Sequence, residues 1–157
     1  MAQAQTPTQT SALTSRREPA HFFRRIEMKL GTRPLRSDSD LANAVENRLP
    51  LASVDALLRS GITDEEIYSL IVPRRTLAHR KSRLESLTHE ESDRAVRIAR
   101  IASLAEEVFA EDAKAARWLR KSKVRFSGRT PLEMLATEAG ARLVEEMLLQ
   151  LDYGLAA

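Results

Sequence analysis

The sequence contains no cysteine, few aromatic residues and no long apolar run, and each of these absences excludes a class of protein. Without cysteine there is no disulfide framework, no cysteine zinc site and no thiol nucleophile. No uninterrupted apolar stretch approaches the roughly 20 residues of a membrane span, and the first residues lack the apolar centre of a signal peptide. We therefore expect a cytoplasmic protein that does not contact a membrane.

The composition favours helices over sheets. Aromatic residues make up only 4% of the 157 residues, whereas alanine, leucine, arginine and glutamate are plentiful. Apolar residues account for 43% and charged residues for 30%, which is typical of a folded globular protein. A chain of this length buries roughly two-thirds of its unfolded surface and folds without covalent cross-links. The composition predicts an all-α fold.

Motifs of catalysis and of metal binding were searched for without success. The three histidines, His21, His79 and His89, are far apart in the sequence, and no second histidine completes an HExxH motif after His89. There is no phosphate-binding glycine loop and no GxSxG elbow. Adjacent carboxylates such as Glu106 and Glu107 point away from each other on a helix. We expect no enzymatic activity, no cofactor and no metal.

The most distinctive segment is residues 72–83, VPRRTLAHRKSR, which carries several cations and no carboxylate. Pro73 suits the first turn of a helix because that position needs no backbone donor. The preceding segment, residues 63–71, opens with Thr63 and Glu66 in the spacing of a capping box. Two short helices joined by a tight turn, the second one basic, predict a helix-turn-helix with its recognition helix.

The basic helix supplies the candidate DNA-binding residues: Arg74, Arg75, Thr76, His79, Arg80 and Arg83. We expect Arg74, Arg75 or His79 to contact base edges and the other three residues to contact phosphate. A solvated basic surface with no DNA partner is the alternative. A small core is expected beneath the two helices, formed by Leu70, Ile71 and Leu77, with Leu84 as a further candidate.

The chain divides into three parts. Residues 1–38 are expected to be a flexible N-terminal tail and linker, although residues 21–30, HFFRRIEMKL, are apolar enough to dock as a short helix or as a strand. Residues 39–86 form the helix-turn-helix domain. Residues 87–157 form a small C-terminal helical bundle, whose helices open at capping signals: Thr88 with Glu91, Thr130 with Glu133, and Thr137.

The order of short motifs in the C-terminal part resembles a known family. The motifs are ESDR at 91–94, ARIASLAEEVF at 99–109, AARWL at 115–119, GRTPLEMLATEAGARLVEEML at 128–148 and LDYG at 151–154. Together they resemble the toxin-binding domain of Xre–MbcA–ParS type antitoxins, which are the partners of RES-domain toxins. PRRTLAHR at 73–80 is similar to the Xre-like helix-turn-helix that precedes this domain. The resemblance covers residues 39–157.

The resemblance implies a function as well as a fold. RES toxins resemble ADP-ribosyltransferases and consume or transfer from NAD, and the antitoxin binds the toxin and blocks its site with its C-terminal end. The helix-turn-helix lets the pair repress its own operon. On this chain the blocking segment would be Asp152, Tyr153, Gly154, Leu155, Ala156 and Ala157. The implied partners are a cognate RES-domain toxin and operator DNA, with a homodimer expected because operators are commonly read two-fold.

Several alternatives stay open at the level of sequence. Trp118 is either packed in the core or an anchor in the toxin interface. The last residues, small and uncharged, are either a plug or a frayed end. A second acid-free basic stretch, residues 117–129, is either exposed surface or a patch that steers the toxin. A stand-alone transcription regulator, whose C-terminal bundle only dimerises, is the alternative to an antitoxin.

Overall fold

The computed structural model describes residues 19–154, and within that range the chain forms nine α-helices, one 3-10 turn and no strand. The helices are α1 Pro19–Leu30, α2 Asp38–Glu46, α3 Ala52–Arg59, α4 Asp64–Leu70, α5 Arg74–Arg83, α6 His89–Phe109, α7 Asp112–Arg120, α8 Pro131–Met134 and α9 Glu138–Asp152. The 3-10 turn Val124–Phe126 lies between α7 and α8. The expected all-α fold is confirmed.

The long helix α6 is the centre of the molecule. It packs against α1, α2 and α3 on the side of the helix-turn-helix and against α7 and α9 on the other side. Four of its alanines are buried together with Ile98 and Ile101: Ala95, Ala99, Ala102 and Ala105. Because alanine side chains are short, neighbouring helices approach α6 closely from more than one direction. Because α6 is covered from several sides, its apolar residues occupy more than one face of the helix.

The capping signals in the sequence correspond to the observed helix starts. Thr63, Thr88 and Thr130 each accept a hydrogen bond from the backbone N–H three residues later, at 3.3, 3.1 and 3.1 Å. In each case the glutamate at that later position accepts from the threonine's own N–H, which completes the capping box. Thr137 caps α9 by accepting from the N–H of Gly140 at 3.1 Å.

The expectation of a tail and linker up to residue 38 is wrong for residues 19–30. These residues form α1, which packs against α3 and α6 and buries Phe23, Ile26 and Leu30. The helix forms because these apolar residues fall on one side at helical spacing and a matching surface is available on α6. The sequence pattern did not separate helix from strand here because the adjacent Phe22 and Phe23 fit neither period cleanly. The remainder of the expected tail, residues 1–18, lies outside the described residues.

A compact ion-pair cluster fastens α1 to the end of α6. Lys29, only 8% exposed, places its ammonium 2.6 Å from one carboxylate oxygen of Glu106. The guanidinium of Arg25 donates to the other oxygen of Glu106 at 2.8 Å. A buried charge is tolerated when an opposite charge lies beside it. Removing one partner leaves the other as an unpaired buried charge, which destabilises the fold. The cluster therefore fixes where α1 lies along α6.

The two expected units are joined without a linker between them. The N–H of Leu87 donates to the carbonyl of Leu49 at 3.0 Å, and the N–H of Leu49 donates to the hydroxyl of Ser92 at 2.9 Å. The start of α6 is thus bonded to the segment between α2 and α3. The domain boundary at residues 86 and 87 stays a prediction, and it precedes a helix that packs against elements of both units.

The burial of α1 makes a testable prediction. We expect Ile26→Ala to lower the free energy of unfolding by about 2–5 kcal/mol, because Ile26 is fully buried and its removal leaves a cavity. Met28→Ala, on the same helix but 71% exposed, is the matched control and should change little. Urea denaturation followed by circular dichroism measures both variants. Equal unfolding midpoints for Ile26→Ala and the unsubstituted protein would contradict the docking of α1.

Candidate functional site

The basic helix α5 exposes nearly all of its side chains. Leu77 is its one buried residue, and Thr76 and Arg80 are half-buried. Four of the six candidate DNA-binding residues are exposed: Arg74, Arg75, His79 and Arg83. By helical position, Arg75 and His79 lie opposite Leu77 and therefore point furthest from the protein. An exposed helix face with cations and no carboxylate suits a nucleic-acid backbone and the edges of its bases.

The connection between α4 and α5 is as tight as expected. Only three residues separate the two helices, and two of them, Ile71 and Val72, are buried. The N–H of Val72 donates to the carbonyl of Ile67 at 3.1 Å. Pro73 is the N-cap, with an extended ψ of 145°, so α5 begins one residue after it. The geometry is that of a helix-turn-helix.

The small core beneath α4 and α5 was predicted correctly at three of its four positions. Leu70, Ile71 and Leu77 are buried, whereas Leu84 is 93% exposed. The expectation for Leu84 is wrong because this residue is left-handed, with φ of 56°, and ends α5. The chain reverses at that point, and the N–H of Glu85 bonds back to the carbonyl of Arg80 at 3.1 Å.

Arg80 anchors α5 through ion pairs, and its contact with phosphate stays a prediction. Its guanidinium donates to Glu91 at 3.2 Å and lies 3.4 Å from Glu85. Glu91 is buried and is also the capping-box glutamate of α6. The ion pair therefore ties the last turns of α5 to the start of α6. The sequence did not reveal this pair because the partner carboxylate lies in the next helix.

Arg74 is positioned by an aromatic ring. Its guanidinium carbon lies 6.0 Å from the centroid of Tyr68, at the outer limit of a cation–π contact. The interaction joins the first residue of α5 to α4. The start of the basic helix is therefore held against its neighbouring helix, while Arg75 and His79 stay on the outer side.

The single tryptophan belongs to a local packing cluster in the C-terminal unit. Trp118 is half-buried, with its ring centroid 5.6 Å from that of Phe109. The ammonium of Lys123 lies 4.8 Å from the tryptophan ring centroid and donates to the Trp118 carbonyl at 3.0 Å. Burial and the proximity of Lys121 lower the pKa of Lys123. Packing within the chain is thus enough to account for Trp118.

The end of α9 presents an apolar surface. Tyr153 and Leu149 are exposed on its outer side, and Gly154 is left-handed, with φ of 69°. Arg125, in the 3-10 turn, donates to Gln150 at 2.6 Å and joins this turn to α9, and the neighbouring Val124 is 98% exposed. Asp152 is half-buried, and Leu155, Ala156 and Ala157 of the expected plug lie outside the described residues. The sequence patterns did not single out Val124 or Leu149, whose exposure depends on how the turn docks on α9.

A bidentate ion pair connects the C-terminal unit to the helix-turn-helix. Arg120, at the end of α7, places Nε 2.7 Å and Nη2 2.8 Å from the two carboxylate oxygens of Glu66 in α4. The same Nη2 donates to the carbonyl of Gly61 at 2.9 Å. Burial raises the pKa of Glu66, but the hydrogen bonds from Arg120 and from the backbone of Thr63 outweigh burial and lower the pKa overall. The expected basic stretch of residues 117–129 is thus partly used inside the molecule.

Residues 19–154 contain neither a metal-binding cluster nor a membrane-spanning helix. No group of three or more histidine and acidic side chains in this range could hold a metal ion. No helix in the same range is long and apolar enough to cross a membrane.

Fold and site define a helix-turn-helix protein with a C-terminal helical domain, and the comparisons identify its family. Residues 40–100 match the model of the antitoxin Xre-like helix-turn-helix domain, and residues 104–154 match that of the antitoxin Xre/MbcA/ParS C-terminal toxin-binding domain. The chain is 41% identical over 135 residues to antitoxin Xre of Pseudomonas putida strain KT2440, which covers 85% of each chain. It is 27% identical over 139 residues to antitoxin Xre of Yersinia enterocolitica, covering 87% of this chain and 93% of that protein. The chain belongs to the Xre/MbcA/ParS antitoxin family.

The ion pair between Glu66 and Arg120 predicts that the stability of the fold depends on pH. A carboxylate whose pKa is lowered on folding stabilises the protein above its ordinary pKa of 4.5, and this contribution is lost as the pH falls through the folded value. We expect Glu66→Gln to be less stable than the unsubstituted protein at neutral pH, and the difference to shrink at pH values below 4.5. Glu65→Gln, an exposed change in the same turn, is the control. Thermal unfolding across the pH range measures both, and a constant difference at every pH would contradict the assignment.

Proposed function

We propose that this protein is the antitoxin of a type II toxin–antitoxin pair whose toxin is a RES-domain, NAD-consuming enzyme. Residues 152–157 block the active site of that toxin, and the helix-turn-helix represses the shared operon. The match of residues 104–154 to a toxin-binding domain carries the proposal. Because its partners would be the toxin and operator DNA, the protein acts in the cytoplasm.

The toxin contact is centred on the end of α9. Gly154 turns the chain away from the helix, and Leu155, Ala156 and Ala157 have few side-chain rotamers to lose in a narrow cleft. Tyr153 and Leu149, one turn apart and both exposed, extend this surface along the outer side of α9. Exposed apolar residues that lie close together are typical of protein interfaces. Trp118 supports this surface from within through its packing on Phe109.

The DNA contact is centred on α5. Arg75 and His79 reach base edges in the major groove, with Arg74 beside them on Tyr68. Thr76 and Arg83 bind phosphate, while Arg80 holds the helix to α6. A homodimer places two such helices about one turn of DNA apart, roughly 34 Å, which matches a two-fold operator.

Deleting residues 154–157 tests the toxin-blocking role. We expect the truncated antitoxin to lose its protection of cells that express the toxin, because the segment that occupies the active site is gone. Binding to operator DNA should persist, since α5 lies in the other unit. Growth after toxin induction and a gel shift with the purified variant measure the two properties. If the truncated protein still protects cells fully, the blocking role of residues 154–157 is refuted. Failure of the unsubstituted chain to protect cells would favour a stand-alone transcription regulator.

The double substitution Arg75→Ala with His79→Ala tests the DNA-binding role. A lost base contact costs about 1–3 kcal/mol, so we expect at least a ten-fold weaker affinity for the operator and a relaxed sequence preference. Arg142→Ala, an exposed arginine on α9, is the control and should bind as the unsubstituted protein does. Fluorescence anisotropy with a duplex from upstream of the gene measures the affinity. Unchanged binding by the double variant would remove α5 as the recognition helix.

A further inference from the structure

Two exposed arginines, Arg33 and Arg48, line the same groove and form no ion pair within residues 19–154. Eleven other arginines and lysines pair with a carboxylate within residues 19–154, among them Arg25, Arg97 and Arg120. The open groove, of about 670 Å³, lies between the loop after α1, the helix α2 and the loop before α3.

The groove also carries neutral hydrogen-bonding groups. Asn43, on the exposed side of α2, and Asn47, the C-cap of this helix, line it together with the two arginines. The Asn47 amide uses one of its two N–H groups for the Asn43 carbonyl, at 2.8 Å. The one carboxylate in its lining, Asp40, accepts the N–H of Arg36 at 2.8 Å, and this hydrogen bond lowers the pKa of Asp40. The charge of Asp40 is therefore engaged by its own loop. Arg33 and Arg48 keep their charges available for a ligand outside the chain.

The groove is hydrogen-bonded to the segment that follows the recognition helix. Its rim includes Leu49, whose carbonyl accepts the N–H of Leu87, four residues after α5 ends. On the same side, Lys81 of α5 lies 3.6 Å from Asp55 in the first turn of α3. The segment before α3 is thus adjacent to the C-terminal half of α5.

We propose that Arg33 and Arg48, with the amides of Asn43 and Asn47, bind phosphates of the DNA strand that borders the major groove occupied by α5. The inference rests on the proposed DNA binding by α5. A major groove is about 12 Å wide and is bordered by phosphates on both sides, so a protein that reads it needs donors flanking its recognition helix. Arginine and asparagine are among the residues that commonly make such contacts. Their role is to fix the position of α5 on the duplex without reading sequence.

Arg48 also has a structural role, because it ends helix α2. It is left-handed, with φ of 56°, which is unfavourable for a residue with a Cβ and which glycine adopts freely. It follows the C-cap of α2, where a cation also interacts favourably with the helix dipole. The dipole would explain Arg48 alone and predicts an effect on stability, whereas phosphate binding involves Arg33 as well and predicts an effect on DNA affinity.

The salt dependence of DNA binding by the full chain tests this inference. Each phosphate contact adds about 0.9 to the slope of log affinity against log salt, so Arg33→Ala with Arg48→Ala should lower the slope by about 1.8. The affinities for an upstream duplex and for a scrambled duplex of the same composition should fall by the same factor, roughly ten-fold or more at about 0.1 M salt. Replacing both arginines with lysine should largely preserve the slope, because the charges remain. Fluorescence anisotropy at several salt concentrations measures these values.

The matched control is Arg24→Ala with Arg59→Ala. Both arginines are exposed, and neither lines the groove. The change in net charge is the same, and we expect the slope to stay near that of the unsubstituted protein.

An unchanged slope for the groove variant, or an equal decrease in the control, overturns the inference while α5 keeps its role. A change in sequence preference instead of uniform weakening also overturns it. Failure of the unsubstituted chain to bind either duplex would refute the proposed DNA binding itself.

Discussion

Close packing of other helices on α6 is the constraint on which the rest of the structure depends. Its buried alanines allow α1, α2, α3, α7 and α9 all to pack against this one helix. The boundary between the two family matches, residues 100 to 104, falls inside this helix. A continuous α-helix has no hinge unless proline, glycine or a bulge interrupts it. The helix-turn-helix and the toxin-binding domain are therefore parts of one packed body.

Electrostatic contacts reinforce this arrangement at the places where apolar packing is thin. Two capping-box glutamates each bind an arginine from another helix: Glu66 binds Arg120, and Glu91 binds Arg80. Each carboxylate thus caps its own helix and positions a neighbouring one. The pairs are partly shielded from solvent, which makes them stronger than fully exposed pairs. Other cations, among them Arg75 on α5 and Arg48 after α2, form no ion pair within residues 19–154.

The confirmed predictions rest on sequence patterns between neighbouring residues. The wrong predictions depend on contacts between residues that are distant in the sequence. The capping boxes and the tight turn before α5 each depend on residues a few positions apart, so the sequence pattern was enough to find them. Leu84 has an apolar side chain in a basic segment, and only the path of the chain after α5 shows that it is exposed. Arg80 is chemically equivalent to Arg75, and only the position of Glu91 distinguishes an anchor from a free cation.

The sequence by itself determined the helical class, the helix-turn-helix and the family, because composition, capping and motif order are local properties that need no fold. Tertiary structure alone decided that residues 19–30 are a helix of the core, since their apolar residues gain stability only when α6 offers a matching surface. It also decided which arginines remain available to a partner. Whether a charge is neutralised depends on residues that are distant in sequence and adjacent only in the folded chain.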